Sequence, residues 1–141
     1  FCWYQFYKFL FPYCLRWKNH FGDLEFFSIL ATIVLNSRTQ IDKKLKGIES
    51  YVEEWRSTMI KHKIRGINAM SISEITGIPR PTVVRKLKIL VKKKYILLDE
   101  NKLINIDPSN KNFKEMSKIQ DLNINSINIL IKRTFNQINL S

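Results

Sequence analysis

Residues 71–106 read SISEITGIPRPTVVRKLKILVKKKYILLDENKLINI. The order is short helix, tight turn, longer helix, then two β-prone runs. Ser71 and Glu74 have the S-x-x-E spacing of a capping box, in which each side chain satisfies an orphan backbone N–H at a helix start. Gly77 tolerates positive φ and so ends the first helix abruptly. Pro79 and Pro81 fit a first helical turn, where no N–H partner is lost. The second helix is therefore expected from Pro79 or Arg80 to about Lys93. Its apolar positions Val83, Leu87 and Leu90 recur at i, i+4 and i+7, one buried stripe, with Ile75 and Ile78 as partners from the first helix and turn. Tyr95–Leu98 and Leu103–Ile106 flank the polar Asp99-Glu100-Asn101-Lys102, the pattern of a short hairpin.

The residues left off the stripe carry the chemical expectation. Arg85, Lys88 and Lys92 point away from it, and Arg80, Thr82, Lys86 and Lys93 flank it. Arginine reads guanine through paired bonds to O6 and N7, and a threonine or valine methyl meets the thymine methyl. A helix N-terminus adds attraction for phosphate. Arg80 and Arg85 are thus expected at base edges with Thr82 and Lys86 next, while Lys88, Lys92, Lys93 and the hairpin's Lys102 are expected on phosphates. The charge balance agrees. The chain carries 24 Lys and Arg against 12 Asp and Glu, net +12. Residues 61–94 hold ten Lys or Arg and only Glu74 on the acidic side, so three quarters of the excess is focused on this stretch. Such a field is the footprint of a nucleic-acid binder. The competing reading of Lys92-Lys93-Lys94 is a solvated helix end whose cations complement the helix dipole.

The segment Thr76 to Leu87, TGIPRPTVVRKL, followed by LVKKKYI, resembles the winged helix-turn-helix domain of bacterial transcription regulators of the MarR, IclR and Crp-like groups. It is also similar to a bacterial wing-helix set with a TGIPRETVRRK-like signature, from which this chain departs at Pro81 and Val84. The resemblance covers about a third of the chain. It implies a mainly α fold: a three-helix core with a β-hairpin wing, and extra helices at both ends. It also implies double-stranded DNA as partner, with the helix at 79–93 in the major groove and the wing at 95–106 on the backbone. A short strand before the reading pair, at Ile67–Met70, belongs to the same implication.

Of the nine Phe, five Tyr and three Trp, twelve lie in residues 1–27. Trp3, Phe6, Leu10, Tyr13 and Trp17 are spaced 3, 4, 3, 4, with Tyr4, Tyr7, Phe11 and Cys14 one position along, an amphipathic helix that Pro12 should kink or restart. Lys8 and Arg16 interrupt the run, so neither a membrane span nor a cleavable signal is expected. The aromatics read as core or dimer interface, or alternatively as a pocket for a small-molecule or peptide effector. Residue 1 is not read as a true N-terminus. Residues 23–36 are expected to form a buried helix, with Asn36-Ser37-Arg38-Thr39 breaking the pattern, and 40–61 a third helix, with Gly47 marking a bend. The last thirty residues suggest one or two amphipathic helices whose apolar surface needs a partner, either the N-terminal helix or a second subunit.

This gives a division into 1–60, a core or dimerisation layer; 61–108, the DNA-binding domain; and 109–141, a dimerising helical segment. Cys2 and Cys14 are expected as buried free thiols in a reducing cytoplasm. His20 and His62 are isolated, no metal-ligand spacing occurs, and no nucleophile elbow, P-loop or acid–base pair is present, so neither a cofactor nor an enzymatic role is expected. The reading is a cytoplasmic, homodimeric regulator that binds duplex DNA. The alternative is a protein-interaction adaptor on the same scaffold that does not read DNA.

Overall fold

The computed structural model describes residues 1–42, 57, 64–107 and 111–139. Among them are five helices, α1 (Cys2–Phe21), α2 (Leu24–Asp42), α3 (Ala69–Thr76), α4 (Arg80–Lys92) and α5 (Phe113–Asn139), and two short strands, β1 (Ile96–Leu98) and β2 (Ile104–Ile106). The protein is mainly helical, with one two-stranded antiparallel sheet. No helix among the described residues is long and apolar enough to cross a membrane. Most of the helix expected over 40–61, with Gly47, lies outside the described residues.

The chain divides into two compact units, Phe1–Leu24 with Lys111–Ser141, and Glu25–Asn110. The two ends of the chain thus form one unit, a grouping that the linear division at residues 60 and 108 does not contain.

In the first unit, α1 runs without restart through Pro12 and ends at Gly22, whose N–H donates to the Lys18 carbonyl at 2.7 Å. Cys2 and Cys14 are free; Cys2 is exposed, not buried as expected, and Cys14 half-buried. Twelve helical residues separate them by roughly 18 Å, far beyond disulfide reach. The C-terminal segment is one continuous helix, α5, which absorbs the alternating stretch Leu122–Asn125. α1 and α5 pack together in antiparallel sense, since Gln5 meets Arg133 while Arg16 meets Asn123.

The second unit is built conventionally. Ile29, Leu30 and Ile33 of α2, Ile72 of α3, Val83, Leu87 and Leu90 of α4, and Ile96, Ile104 and Ile106 of the hairpin are all buried. Burying side chains of this size removes apolar surface from water and is the main term holding the unit together. The expected stripe on α4 is therefore correct, as is Ile78. Its partner on α3 is Ile72, fully buried, and not Ile75, which is 66% exposed. α2 does not break at Asn36–Thr39. Ser37 Oγ, buried, donates to the Ile33 carbonyl at 3.1 Å, and Asn36 Nδ2 donates to the Arg65 carbonyl at 3.0 Å, so these polar groups are satisfied inside a continuing helix.

Candidate nucleic-acid interface

The turn between α3 and α4 fixes the placement of everything on α4. Helix α3 starts one turn earlier than the capping box predicts. Asn68 is the N-cap, its side chain accepting from the Ser71 N–H at 2.9 Å, because an asparagine at that position satisfies the orphan donor before Ser71 can act as a cap. Gly77 adopts φ 71°, the left-handed conformation that lets the chain leave α3. The turn is then locked from both sides: Ser73 Oγ donates to the Ile78 carbonyl at 2.7 Å, and the Ile78 N–H donates to Thr76 Oγ1 at 3.3 Å. Pro79 caps α4, and its carbonyl accepts from the N–H groups of Thr82 and Val83. Pro81 occupies a first-turn position, where its missing N–H costs nothing.

With Val83, Leu87 and Leu90 turned inward, the opposite face of α4 is set by helical geometry. Arg80, Pro81, Val84, Arg85 and Lys88 line one shallow surface depression. Arg80, Arg85 and Lys88 are exposed, and none of them has an acidic partner among the described residues. Thr82 is half-buried at the edge of this face; Lys92 and Lys93 are exposed at the far end of the helix. Five of the expected residues, Arg80, Arg85, Lys88, Lys92 and Lys93, are thus presented to solvent on or next to one helix. Sequence reasoning left Pro81 and Val84 out of the site, although they form its apolar floor. Val84 lies four residues after Arg80 and Pro81 four before Arg85, and that spacing was the signal for them.

Lys86 is the exception. It is 3% exposed and faces the other way, against α2. Its Nζ lies 3.2 Å from Glu25 Oε2 and 4.0 Å from the centre of the Phe26 ring. A lysine engaged by a carboxylate and an aromatic face inside the unit does not reach a groove or a phosphate, and the expected base-edge role for Lys86 is withdrawn. Flanking the stripe made it ambiguous in sequence; a partner 61 positions away decided it.

The end of α4 and the hairpin complete the surface. The Tyr95 N–H donates to the Leu90 carbonyl and the Lys94 N–H to the Val91 carbonyl, both at 2.9 Å, with Lys94 at φ 59°. This is a Schellman closure with lysine in the position usually given to glycine. β1 and β2 pair with Ile96 opposite Ile106 and Leu98 opposite Ile104. Asp99 shapes their connection, its Oδ1 accepting from the N–H groups of Asn101 and Leu103 at 2.9 and 2.8 Å. Lys102 stands exposed at the tip, with φ 58°. Ile67 forms a single antiparallel bridge to Ile104, N–H to carbonyl in both directions at 3.0 and 2.8 Å. The strand expected at Ile67–Met70 is therefore one residue long, because Asn68 already caps α3. Gly66 makes the bridge possible, since a Cβ there would lie 2.8 Å from the Ile104 carbonyl oxygen.

The α1 aromatics, expected as core, dimer interface or effector pocket, are in part exposed. Trp3, Phe6 and Tyr7 touch one another at ring distances of 5.9–6.1 Å and are exposed. The groove between α1 and α5, about 240 Å³, is lined by one ring, Phe9, among Gln5, Lys8, Ser126, Ile129, Leu130 and Arg133. Among the described residues no group of three His, Cys, Asp or Glu side chains could hold a metal. No protein-family model, curated protein or solved structure matches the chain.

Proposed function

We propose that residues 64–107 form a winged helix-turn-helix module that binds duplex DNA as a transcriptional regulator. In this reading α4 enters the major groove and the β1–β2 hairpin is the wing on the backbone. One observation carries it: the outward face of α4 holds Arg80, Arg85 and Lys88 with no acidic partner among the described residues, beside an apolar floor of Pro81 and Val84. Cations kept unpaired on a helix whose opposite face is fully buried are available to phosphates and base edges. Lys92, Lys93, Lys94 and Lys102 extend the same positive surface toward the hairpin. The left-handed backbone at Lys94 and Lys102 supports the reading, since a β-carbon there costs on the order of 1 kcal/mol that glycine would avoid.

Titration of the full chain with duplex DNA at several salt concentrations tests the proposal. Affinity is expected to fall steeply with salt, because phosphate contacts release counterions. Arg85→Ala should weaken a selected site by about 1–3 kcal/mol and relax specificity at one base pair, while Lys86→Met leaves both unchanged. Equal losses on selected and random DNA would remove Arg85 from the base edge. Absence of binding at low salt would favour an interaction adaptor instead, a reading that the exposed apolar side chains of α1 and α5 also favour.

A further inference from the structure

The α1–α5 unit has a polar seam and apolar stripes that face solvent. Where its two helices meet, the side chains are polar: Arg16 Nε donates to Asn123 Oδ1 at 2.8 Å, Arg16 Nη2 to Ser126 Oγ at 3.2 Å, and Arg133 Nη1 to Gln5 Oε1 at 3.3 Å. Gln5 and Asn123 are buried in this seam. Trp17 and Phe21 of α1 are buried, but many of the unit's other apolar side chains point to solvent. On α1, Tyr4, Tyr7 and Phe11 are spaced 3 and 4; on α5, Ile124, Ile127 and Ile131 repeat that spacing and Ile138 continues it one heptad on, with Phe135 alongside. Each of these is between 40% and 67% exposed.

We infer that these outward stripes are the interface of a symmetric dimer, in which the α1–α5 pair of one protomer packs against that of its partner. Stripes at 3 and 4 spacing fit the knobs and holes of another helix. Together the eight side chains offer roughly 800 Å² of surface, about what one partner contributes to a stable protein interface. A second copy brings the same two stripes, so a self-complementary contact needs no other component. A lipid surface suits the stripe on α5 less well. Interfacial helices set several cations beside the apolar face, whereas the stripe here is flanked by Asn128, Asp121 and Asn125 with Lys132 alone as a cation.

The inference is independent of DNA binding, because its readout is mass without nucleic acid. Sedimentation velocity of the full chain over a range of concentrations should show a dimer. Ile131→Glu and Tyr7→Glu should each weaken it at least tenfold with helical circular dichroism retained, whereas Val91→Glu, on exposed α4, leaves it intact. If glutamate unfolds α5, Ile131→Asn, matching its neighbours, reports on the same face. A monomer at tens of micromolar overturns the inference, as does a dimer indifferent to both substitutions. Capture of a monomer by phosphatidylcholine–phosphatidylserine vesicles overturns it in favour of a membrane surface.

Discussion

The two units of this chain spend their apolar residues in opposite ways. In the unit around α3, α4 and the hairpin, Ile72, Val83, Leu87, Leu90, Ile96, Ile104 and Ile106 are turned inward, and the cations of α4 other than Lys86 outward. In the α1–α5 unit, arginine, glutamine and asparagine meet in the seam and Trp17 and Phe21 are buried, while Tyr4, Tyr7, Phe11, Phe135 and the four isoleucines of the α5 stripe face out. The first arrangement gains most of its hydrophobic burial within itself. The second leaves that term unrealised until something covers the stripes. An amphipathic period thus marks where a helix needs a partner, whether or not its own unit supplies one.

The comparison is tested most strongly by truncating one isoleucine in each unit. Ile72 is fully buried between α3 and its neighbours, and Ile72→Ala should cost about 2–5 kcal/mol in urea unfolding, independent of protein concentration. Ile131→Ala, on a half-exposed stripe, should change stability only through association, so its effect should grow with protein concentration. Losses of equal size and no concentration dependence would erase the distinction between the units.

Gly66→Ala comes next. The new methyl would meet backbone at 2.8–2.9 Å, with the Asn105 side chain at 2.9 Å, forcing the Ile67–Ile104 bridge to open. A cost of about 1–3 kcal/mol is expected, together with faster amide exchange at Ile67 and Ile104. Protection at those two amides equal to that of the parent chain would show that the bridge tolerates the methyl.

What the sequence disclosed about these units follows the range of the forces involved. Gly77, the α4 stripe and the Asp99 turn were readable because each is decided within a few residues by φ, by helical period or by a local hydrogen bond. The continuation of α2 through Asn36 and Ser37 was not, since Asn36 is satisfied by a carbonyl 29 residues away. Lys86 was misplaced for the same reason: Glu25 and Phe26 reach it only in the folded unit. Ile72 and Ile75 differ by three positions and either suited the period; the earlier start of α3 at Asn68 decided between them. The charged face of α4 was legible from helical period; that Pro81 and Val84 share one depression with it depends on how the helix packs.

Lys94→Gly should reverse the usual sign. Glycine relieves the left-handed backbone at the end of α4 and should stabilise the unit by about 0.5–1 kcal/mol. The same change removes a cation from the proposed DNA surface, so affinity should fall and the salt dependence should lose about one phosphate contact. Stabilisation with unchanged DNA affinity would show that Lys94 is carried for reasons other than binding.

The smallest effect belongs to Tyr13, in the α1–α5 unit. Burial pushes its hydroxyl above the ordinary tyrosine value, partly offset by the neighbouring Trp17 indole. The folded chain therefore holds this proton more tightly than the unfolded chain does. Its contribution to stability is fully present below the ordinary value, near pH 10, and is lost as pH rises through the raised one. Tyr13→Phe should delete the latest part of the phenolate absorbance titration that this ring contributes, and flatten the alkaline fall in stability. A variant that titrates and unfolds in alkali like the parent would place Tyr13 in water. Even in the unit that turns most of its aromatics outward, this ring is expected to behave as a core residue.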